Sequence, residues 1–296
     1  MSKNDAVFTT FYKKIVIPNI NTQLIIQPFG DVHRDSPNCA EEKWKLCLDW
    51  MKRQHNENTY YLSMGDLNDF ASHSERDILN NPKLHGSTRE NLEKNLAVKP
   101  VERIFKEIEF MKPNLIGMLE GNHRWEFEDG TTSTQLLCDK LDCKWLGEVT
   151  YIRLSINIKT RTRTQLPVDI VAAHGKAGGK LAGTTINQVE DLKRVFPMAD
   201  IFIMGHDHHR GAWPTSTLDV LSRGGGLVIK QKRQWLARSG SFLRGYVDGE
   251  QSYIVKRMLR PTDIGIIRFF INIERKRYAE NGVEKESYNK DIHVWE

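Results

Sequence analysis

The stretch "IFIMGHDHHR" (201–210) runs four apolar residues straight into a glycine, three histidines and an aspartate. So short an apolar run, stopped by glycine, reads as a buried strand delivering polar side chains at its tip. The same pattern occurs in "QLIIQPFGDVH" (23–33), "TYYLSMGD" (59–66), "NLIGMLEGNH" (114–123) and "VDIVAAHG" (168–175). Helical spacing lies between several of these runs. Trp44, Cys47, Leu48 and Met51 predict a helix behind an Asn38 start, and Val101, Ile104, Phe105, Ile108 and Met111 a second one stopped by Pro113. Ile186, Val189, Leu192 and Val195 predict a third. "YIRLSINI" (151–158) alternates with period two, which predicts a half-exposed antiparallel strand. Beyond residue 215, "LDVLS", "GLVI" and "IGIIRFFINI" read as strands with almost no helical periodicity. The expectation is an α/β fold, strand–helix alternating first and β-rich second, with polar residues at the carboxyl ends of the strands.

A chain of 296 residues, 39% hydrophobic, can bury a sizeable core. One domain is expected over 1–275, with core motifs at 23–210, a polar loop insertion at 71–98 and a β-rich part at 215–275. Residues 276–296 read as a weakly ordered polar tail. The net charge of +5 suits an anionic ligand without selecting one. Cys39, Cys47, Cys138 and Cys143 form no C-x-x-C pair, so a zinc knuckle is not indicated and free thiols in a reducing cytoplasm are expected. The start lacks the apolar core of a signal peptide and no stretch reaches the ~18 apolar residues of a membrane span, so a cytoplasmic protein without a membrane partner is expected. Oligomeric state is open at this level.

The tips carry Asp31 and His33, then Asp66, then Asn122 and His123, then His174, then His206 and His208. If these segments are extended, residues i and i+2 point the same way, and D-x-H and H-x-H each present two ligands to one space. Imidazole nitrogen, carboxylate oxygen and amide oxygen without thiolate suit Mn, Fe, Zn, Ni or Co. Eight such groups exceed the needs of one ion. Two ions sharing a carboxylate, roughly 3.5–4 Å apart, are the arrangement used for in-line displacement at phosphorus.

The ordered set D-V-H (31–33), G-D-L-N-D (65–69), G-N-H (121–123), A-H-G (173–175) and G-H-D-H (205–208) resembles the calcineurin-like metallophosphoesterases over about residues 23–210. The resemblance implies a sandwich of two mixed β-sheets flanked by helices. It implies two divalent transition-metal ions, manganese favoured, with a bridging hydroxide as nucleophile. Asp31, His33 and His208 would hold one ion, Asn122, His174 and His206 the other, and Asp66 both. His123 matches the family's site histidine beside the scissile phosphate. Departures narrow the branch. Asp69-Phe70-Ala71 stands where protein phosphatases have D-R-G, and Arg124 stands where Asp or Glu is common. The arginine that grips a phosphoprotein and the tyrosine of purple acid phosphatases are both absent. The phosphodiesterase and nuclease branch remains, and "SGSFLRGY" (239–246) is similar to segments of uncharacterised phage-encoded relatives. A phosphodiester substrate, nucleic acid or nucleotide, is therefore expected. The alternatives are a small-molecule phosphomonoesterase or pyrophosphatase, and a nucleic-acid-binding protein with structural metals.

Candidate substrate contacts are His73 and Arg76 in the insertion, Arg124, and Arg238 and Arg244 in "KQKRQWLARSGSFLRGY" (230–246). There Lys230, Lys232, Arg233, Arg238 and Arg244 interleave with Trp235, Phe242 and Tyr246, a single-strand nucleic-acid arrangement. An alternating strand with one charged face is the competing reading. Asn68 and Asp69 either form a turn or orient the site. Asp207 is expected to face solvent, and His209 to lie behind the site or on the surface.

Overall fold

The chain opens with β1 (Thr9–Ile17) and β2 (Leu24–Phe29), followed by α1 (Glu41–Gln54) and β3 (Thr59–Ser63). Helices α2 (Gly86–Glu93) and α3 (Lys99–Ile108) precede β4 (Leu115–Met118), α4 (Ser133–Leu141) and β5 (Lys144–Trp145). A hairpin of β6 (Val149–Ile158) and β7 (Arg161–Ala173) leads to α5 (Ala182–Val195) and β8 (Ile201–Met204). A long second hairpin joins β9 (Arg210–Arg223) and β10 (Gly226–Ser241), and α6 (Tyr253–Lys256), β11 (Gly265–Ile266), β12 (Arg268–Glu280) and β13 (Val283–Trp295) complete the order. This computed structural model describes residues 9–70, 86–176, 182–223, 226–249, 253–256, 258, 260–280 and 282–295. His73, Arg76 and the first part of the 71–98 insertion lie outside the described residues.

Among the described residues the strands form two mixed sheets. One has the order β1-β6-β7-β8-β10-β11, with β9 also on β10, and the other the order β13-β12-β2-β3-β4-β5. The five apolar runs with polar tips all contribute strands. β3, β4 and β8 are buried at every position, as strands covered on both faces must be. Between the sheets lies a core drawn from both, including Ile17, Ile26, Leu62, Ile152, Leu154, Ile156, Ile203, Phe269 and Ile271. Outside the second sheet, Trp44, Leu48 and Met51 of α1, Val101, Ile104 and Ile108 of α3 and Leu137 and Leu141 of α4 pack on Phe29, Tyr61 and Met118. Outside the first, Val189 and Leu192 of α5 pack on Val171, Phe202 and Leu236. The result is helix, sheet, sheet, helix, with a β-rich C-terminal part, as expected. Among the described residues no helix is long and apolar enough to cross a membrane.

Several expectations are corrected. Helix α1 starts after Ala40, with no side-chain cap, rather than at Asn38; Glu41 and Glu42 in its first turn favour the positive end of its dipole. The second half of the 71–98 insertion is helical. α2 runs through a π-helical turn, Lys94–Val98, into α3. That turn sits just before Pro100, which has no N–H for the regular bond four residues back. Past Ile108 a 3-10 segment, Glu109–Asn114, carries the chain through Pro113.

The 276–296 segment is not a loose tail. β13 pairs with β12 along its whole length, from Glu280 opposite Val283 to Arg268 opposite Trp295. The Asn281-Gly282 dipeptide is a hairpin signal, and Gly282 takes φ +71°. Ile271, Ile273 and Ile292 anchor the hairpin in the core. Each contributes roughly 1.5–3 kcal/mol on burial, which a two-stranded ribbon needs because alone it is marginal.

Candidate metal centre

The polar tips converge at the carboxyl ends of β2, β3, β4, β7 and β8, stitched to each other by backbone hydrogen bonds. Asp31 N donates to Gly65 O at 3.0 Å, and Val32 N and His33 N both donate to Asp66 O at 2.9 and 3.0 Å. Gly205 N donates to His174 O at 3.1 Å, and Phe242 N to Asp31 O at 2.9 Å. These segments are not extended. Asp31, His33 and Asp66 each have φ +48°, His206 +67° and His208 +62°, five of the seven described non-glycine residues with positive φ. Left-handed turns, rather than the two-residue repeat of a strand, aim the side chains inward. Each such residue costs about 1–3 kcal/mol, so the surroundings must over-determine it. Glycine permits the close approach. A Cβ on Gly121 would stand 1.9 Å from Asp66 Oδ1, and one on Gly205 would stand 2.7 Å from Asp31 Oδ2.

Among the described residues, three groups of side chains bring their ligand atoms within 4.8 Å of one another and could hold a metal ion: Asp31, His33 and His208; Asp66, His174 and His206; and His33, Asp69 and His123. The first has the same members as the first trio expected from the sequence; the second joins His174 and His206 with Asp66, and Asn122, expected as their third ligand, lies beside it with Oδ1 2.9 Å from His174 Nε2. His174 Nδ1 donates to Met64 O at 2.8 Å, because a carbonyl can only accept, so Nε2 is the nitrogen left to ligate once it gives up its proton. That Nε2 faces Asn122 Oδ1, His206 Nδ1 at 3.1 Å and Asp66 Oδ2 at 3.2 Å. In the first trio His33 Nδ1 is 3.0 Å from Asp69 Oδ1, which leaves Nε2 as its inward ligand atom. His33 Nε2 is buried without a hydrogen-bond partner, 3.9 Å from Asp66 Oδ2. An unpartnered ligand atom in a buried space is what a cation would satisfy. Asp66 reaches both trios.

Burial alone would raise the Asp66 carboxyl, but His174 and His33 outweigh it and hold it well below the usual carboxylate range. Asp31 is pushed up to about 7, by burial first and also by neighbouring Asp66. Burial works against a charged His174, and Asp66 overcomes it, raising the imidazole to about 9. Burial and His174 push His206 down to about 4, and burial with His33 lowers His208.

His123 stands at the edge of the site, its side chain 29% exposed. Its backbone N–H donates to Asp66 Oδ1 at 2.9 Å, and its ring lies edge-on to His33 with centroids 4.9 Å apart. Nδ1 lies 2.9 Å from Asp69 Oδ1 and 3.2 Å from Phe70 O. Burial lowers the His123 imidazole, and the hydrogen bond to Asp69 and the charge of Asp66 more than reverse this. Asp69 thus bridges His33 and His123. The sequence left it between turn and site, and its one signal was the D-L-N-D spacing from Asp66. Asn68 turns away to Asp35 Oδ2 at 2.6 Å.

The expected substrate contacts fare differently. Arg238 is fully buried and cannot meet a substrate from solvent. Its guanidinium donates to Gly205 O at 2.8 Å and to Thr185 O at 2.9 and 3.1 Å, reaches Gln188 Oε1 at 2.9 Å, and lies 3.2 Å from Asp207 Oδ2. Asp207 therefore faces inward, its side chain 3% exposed, against expectation. His209 folds back on Asp207, with Nδ1 2.9 Å from its carbonyl oxygen. Trp235 and Phe242 are core residues, so the 230–246 stretch presents no interleaved stacking surface. β10 is exposed in its first half and central in the sheet in its second, which mixes two environments in one basic run. Arg244 is exposed and donates to Cys39 O at 3.2 Å. Arg124 engages Glu126 Oε1 at 3.0 Å and Gly121 O at 3.3 Å, with Glu148 Oε1 3.7 Å away.

No protein-family model and no curated protein matches this chain. Among solved structures it is similar to GAP50, described as the anchor in the inner membrane complex of Plasmodium, at 12% identity and a TM-score of 0.40, covering 84% of this chain and 81% of that one. It is also similar to a 5′-nucleotidase precursor from Thermus thermophilus, at 9% identity and a TM-score of 0.34, covering 92% of this chain and 54% of that one.

Proposed function

We propose that the chain is a metal-dependent phosphoester hydrolase that holds two divalent ions and prefers a diester, a nucleotide or nucleic acid being the substrate class. The observation that supports this most is the pair of ligand-atom clusters, Asp66 belonging to one and lying 3.9 Å from His33 Nε2 of the other, with His123 beside them. Asp31, His33 and His208 would hold one ion and Asn122, His174 and His206 the other, with Asp66 between them. When bound, the ions would supply Lewis-acid polarisation of the phosphoryl oxygens and a water acidic enough to attack near neutral pH.

The chain's own residues orient and move protons. Met64 O and Asp69 hold the Nδ1 edges of His174 and His33, so both present Nε2 inward. Asp69 and Phe70 O occupy His123 Nδ1, which leaves the Nε2–H edge to donate to a departing alkoxide or a charged phosphoryl oxygen.

The test is hydrolysis of bis-p-nitrophenyl phosphate beside p-nitrophenyl phosphate by metal-stripped protein with added Mn²⁺. Faster turnover of the diester is expected. Faster turnover of the monoester would transfer the reading to a phosphomonoesterase, and no turnover with any divalent ion would overturn it.

A further inference from the structure

Beside the second ligand-atom cluster lies a cleft of about 280 Å³ that no part of the reading above uses. Asn122 and His174 form one wall, so it opens directly onto the candidate metal site. Its apolar lining comes from Val149 at the start of β6, Ala173 at the end of β7, Leu192 on α5 and Met204 at the end of β8. Ala173, Leu192 and Met204 belong to the packed layer under α5, which makes the floor rigid, whereas Val149 is 37% exposed at the rim. His123 does not line this cleft. It lines a much smaller cavity with Asp66, Asn68 and Phe70.

Resting on the hydrolase reading, we infer that this cleft receives the ester substituent that stays on phosphorus, and that this substituent is an uncharged group of about one or two rings. Three observations lead there. The group that leaves must depart on the His123 flank if His123 is to protonate it, and the cleft is on the Asn122 and His174 flank. Its volume is at the low end of ligand sites, which span about 300–1,000 Å³, so it holds a ring and not an oligomer. Its charged lining residues, Glu120, Glu148 and Lys176, include one cation against two carboxylates, a poor match for a further phosphate. Glu120 is further engaged through Oε2 by Thr132 and Trp145, at 2.8 and 2.7 Å. A phosphomonoester has no second substituent and would leave the cleft empty. The cleft therefore supplies a physical basis for choosing a diester, and favours an aryl-sized or nucleobase-sized substituent over a long polyanion.

The test varies the retained group while p-nitrophenol always leaves. Mn²⁺-loaded protein should hydrolyse phenyl p-nitrophenyl phosphate with kcat/KM about tenfold to a hundredfold above methyl p-nitrophenyl phosphate, as expected for burying a ring in an apolar site. Val149→Trp, at the half-open rim, should bring that ratio towards one. Val149→Ala should instead raise turnover of the 1-naphthyl ester relative to the phenyl ester, a gain that misfolding cannot mimic. Calorimetric binding of phenylphosphonate and methylphosphonate, which are not hydrolysed, should follow the same order. Hydrolysis of all the esters with no phenyl preference, or a preference untouched in both variants, would refute the cleft and keep the hydrolase. Preferential phenylphosphonate binding that Val149→Trp removes, without hydrolysis of any ester, would keep the cleft and refute the hydrolase.

Discussion

Asp69 sets one carboxylate oxygen 2.9 Å from His123 Nδ1, and the same oxygen lies 3.0 Å from His33 Nδ1. One charge therefore orients two imidazoles with different tasks, one in a candidate ligand trio and one at the edge of the site. Burial opposes ionisation of Asp69, and the two histidines overcome it, holding the carboxyl well below its usual range. Asp69→Asn removes the charge while keeping the shape, so both imidazole N–H groups lose the anion that orients them. Turnover should fall about 10–100-fold, with metal affinity falling by a similar factor, as for other groups that orient ligands. Unchanged values in both kinetics and metal titration would show that the bridge does nothing for the site.

His123→Ala should separate chemistry from metal binding. His123 is joined to Asp66 only through its backbone N–H, which alanine retains. Metal content by mass spectrometry should stay at the native value. kcat should drop by about 10²–10⁴, the usual worth of a positioned acid or base, and more for poor leaving groups. Native kcat with a poor leaving group would remove His123 from the mechanism.

Asp66→Asn should behave in the opposite way. Asp66 Oδ2 is 3.2 Å from His174 Nε2 and 3.9 Å from His33 Nε2, so its charge serves both clusters. Without it two nearby cations lose their shared screen, and the protein should retain fewer ions per chain after dialysis. Retention of the native metal content would exclude a bridging role.

The fold was legible because its central strands are covered on both faces and so read as unbroken apolar runs, as in β3 and β8. The tips were legible by residue type, yet their geometry was not. A strand repeat was expected where left-handed turns at Asp31, His33 and His208 do the aiming, and composition does not reveal the sign of φ. Arg238 was misread for a related reason. Charge suggests exposure, and only the pairing of β10 with β8 and β9 shows that position 238 is interior. β13 was missed because its alternation is mostly polar, with a single buried apolar residue, Ile292.

Arg238 should prove a stability residue rather than a substrate contact. Its guanidinium links two residues of α5, Thr185 and Gln188, to the carbonyl of Gly205 and the carboxylate of Asp207, the loop that carries His206 and His208. Arg238→Met removes one partner of a buried pair and leaves Asp207 without its cation. Denaturant unfolding should show a loss of about 3–5 kcal/mol. Arg238→Met with Asp207→Asn should lose less than the two single changes added together, because the second removes the stranded charge. Strict additivity would mean the pair is not coupled.

Metal binding should release protons, and the pH dependence has a definite sign. In the metal-free protein Asp66 raises His174 against the effect of burial, to about 9, and burial raises Asp31 to about 7. Both groups therefore bind protons more tightly folded than unfolded. Their proton-linked contribution to the metal-free fold is complete below the unfolded values and is lost as pH rises through about 7 for Asp31 and about 9 for His174. His206, pushed down to about 4 by burial and His174, is already neutral in this range and does not compete. An arriving cation must displace the proton from His174 Nε2, so affinity should climb with pH and level off near 9. Titrations of Mn²⁺ at about pH 7.5 in two buffers of different ionisation enthalpy should give different heats, with the difference reporting protons released. His174→Ala should remove most of that difference. Equal heats in both buffers for the native chain would mean that His174 holds no proton to displace, and the second cluster would need another ligand set.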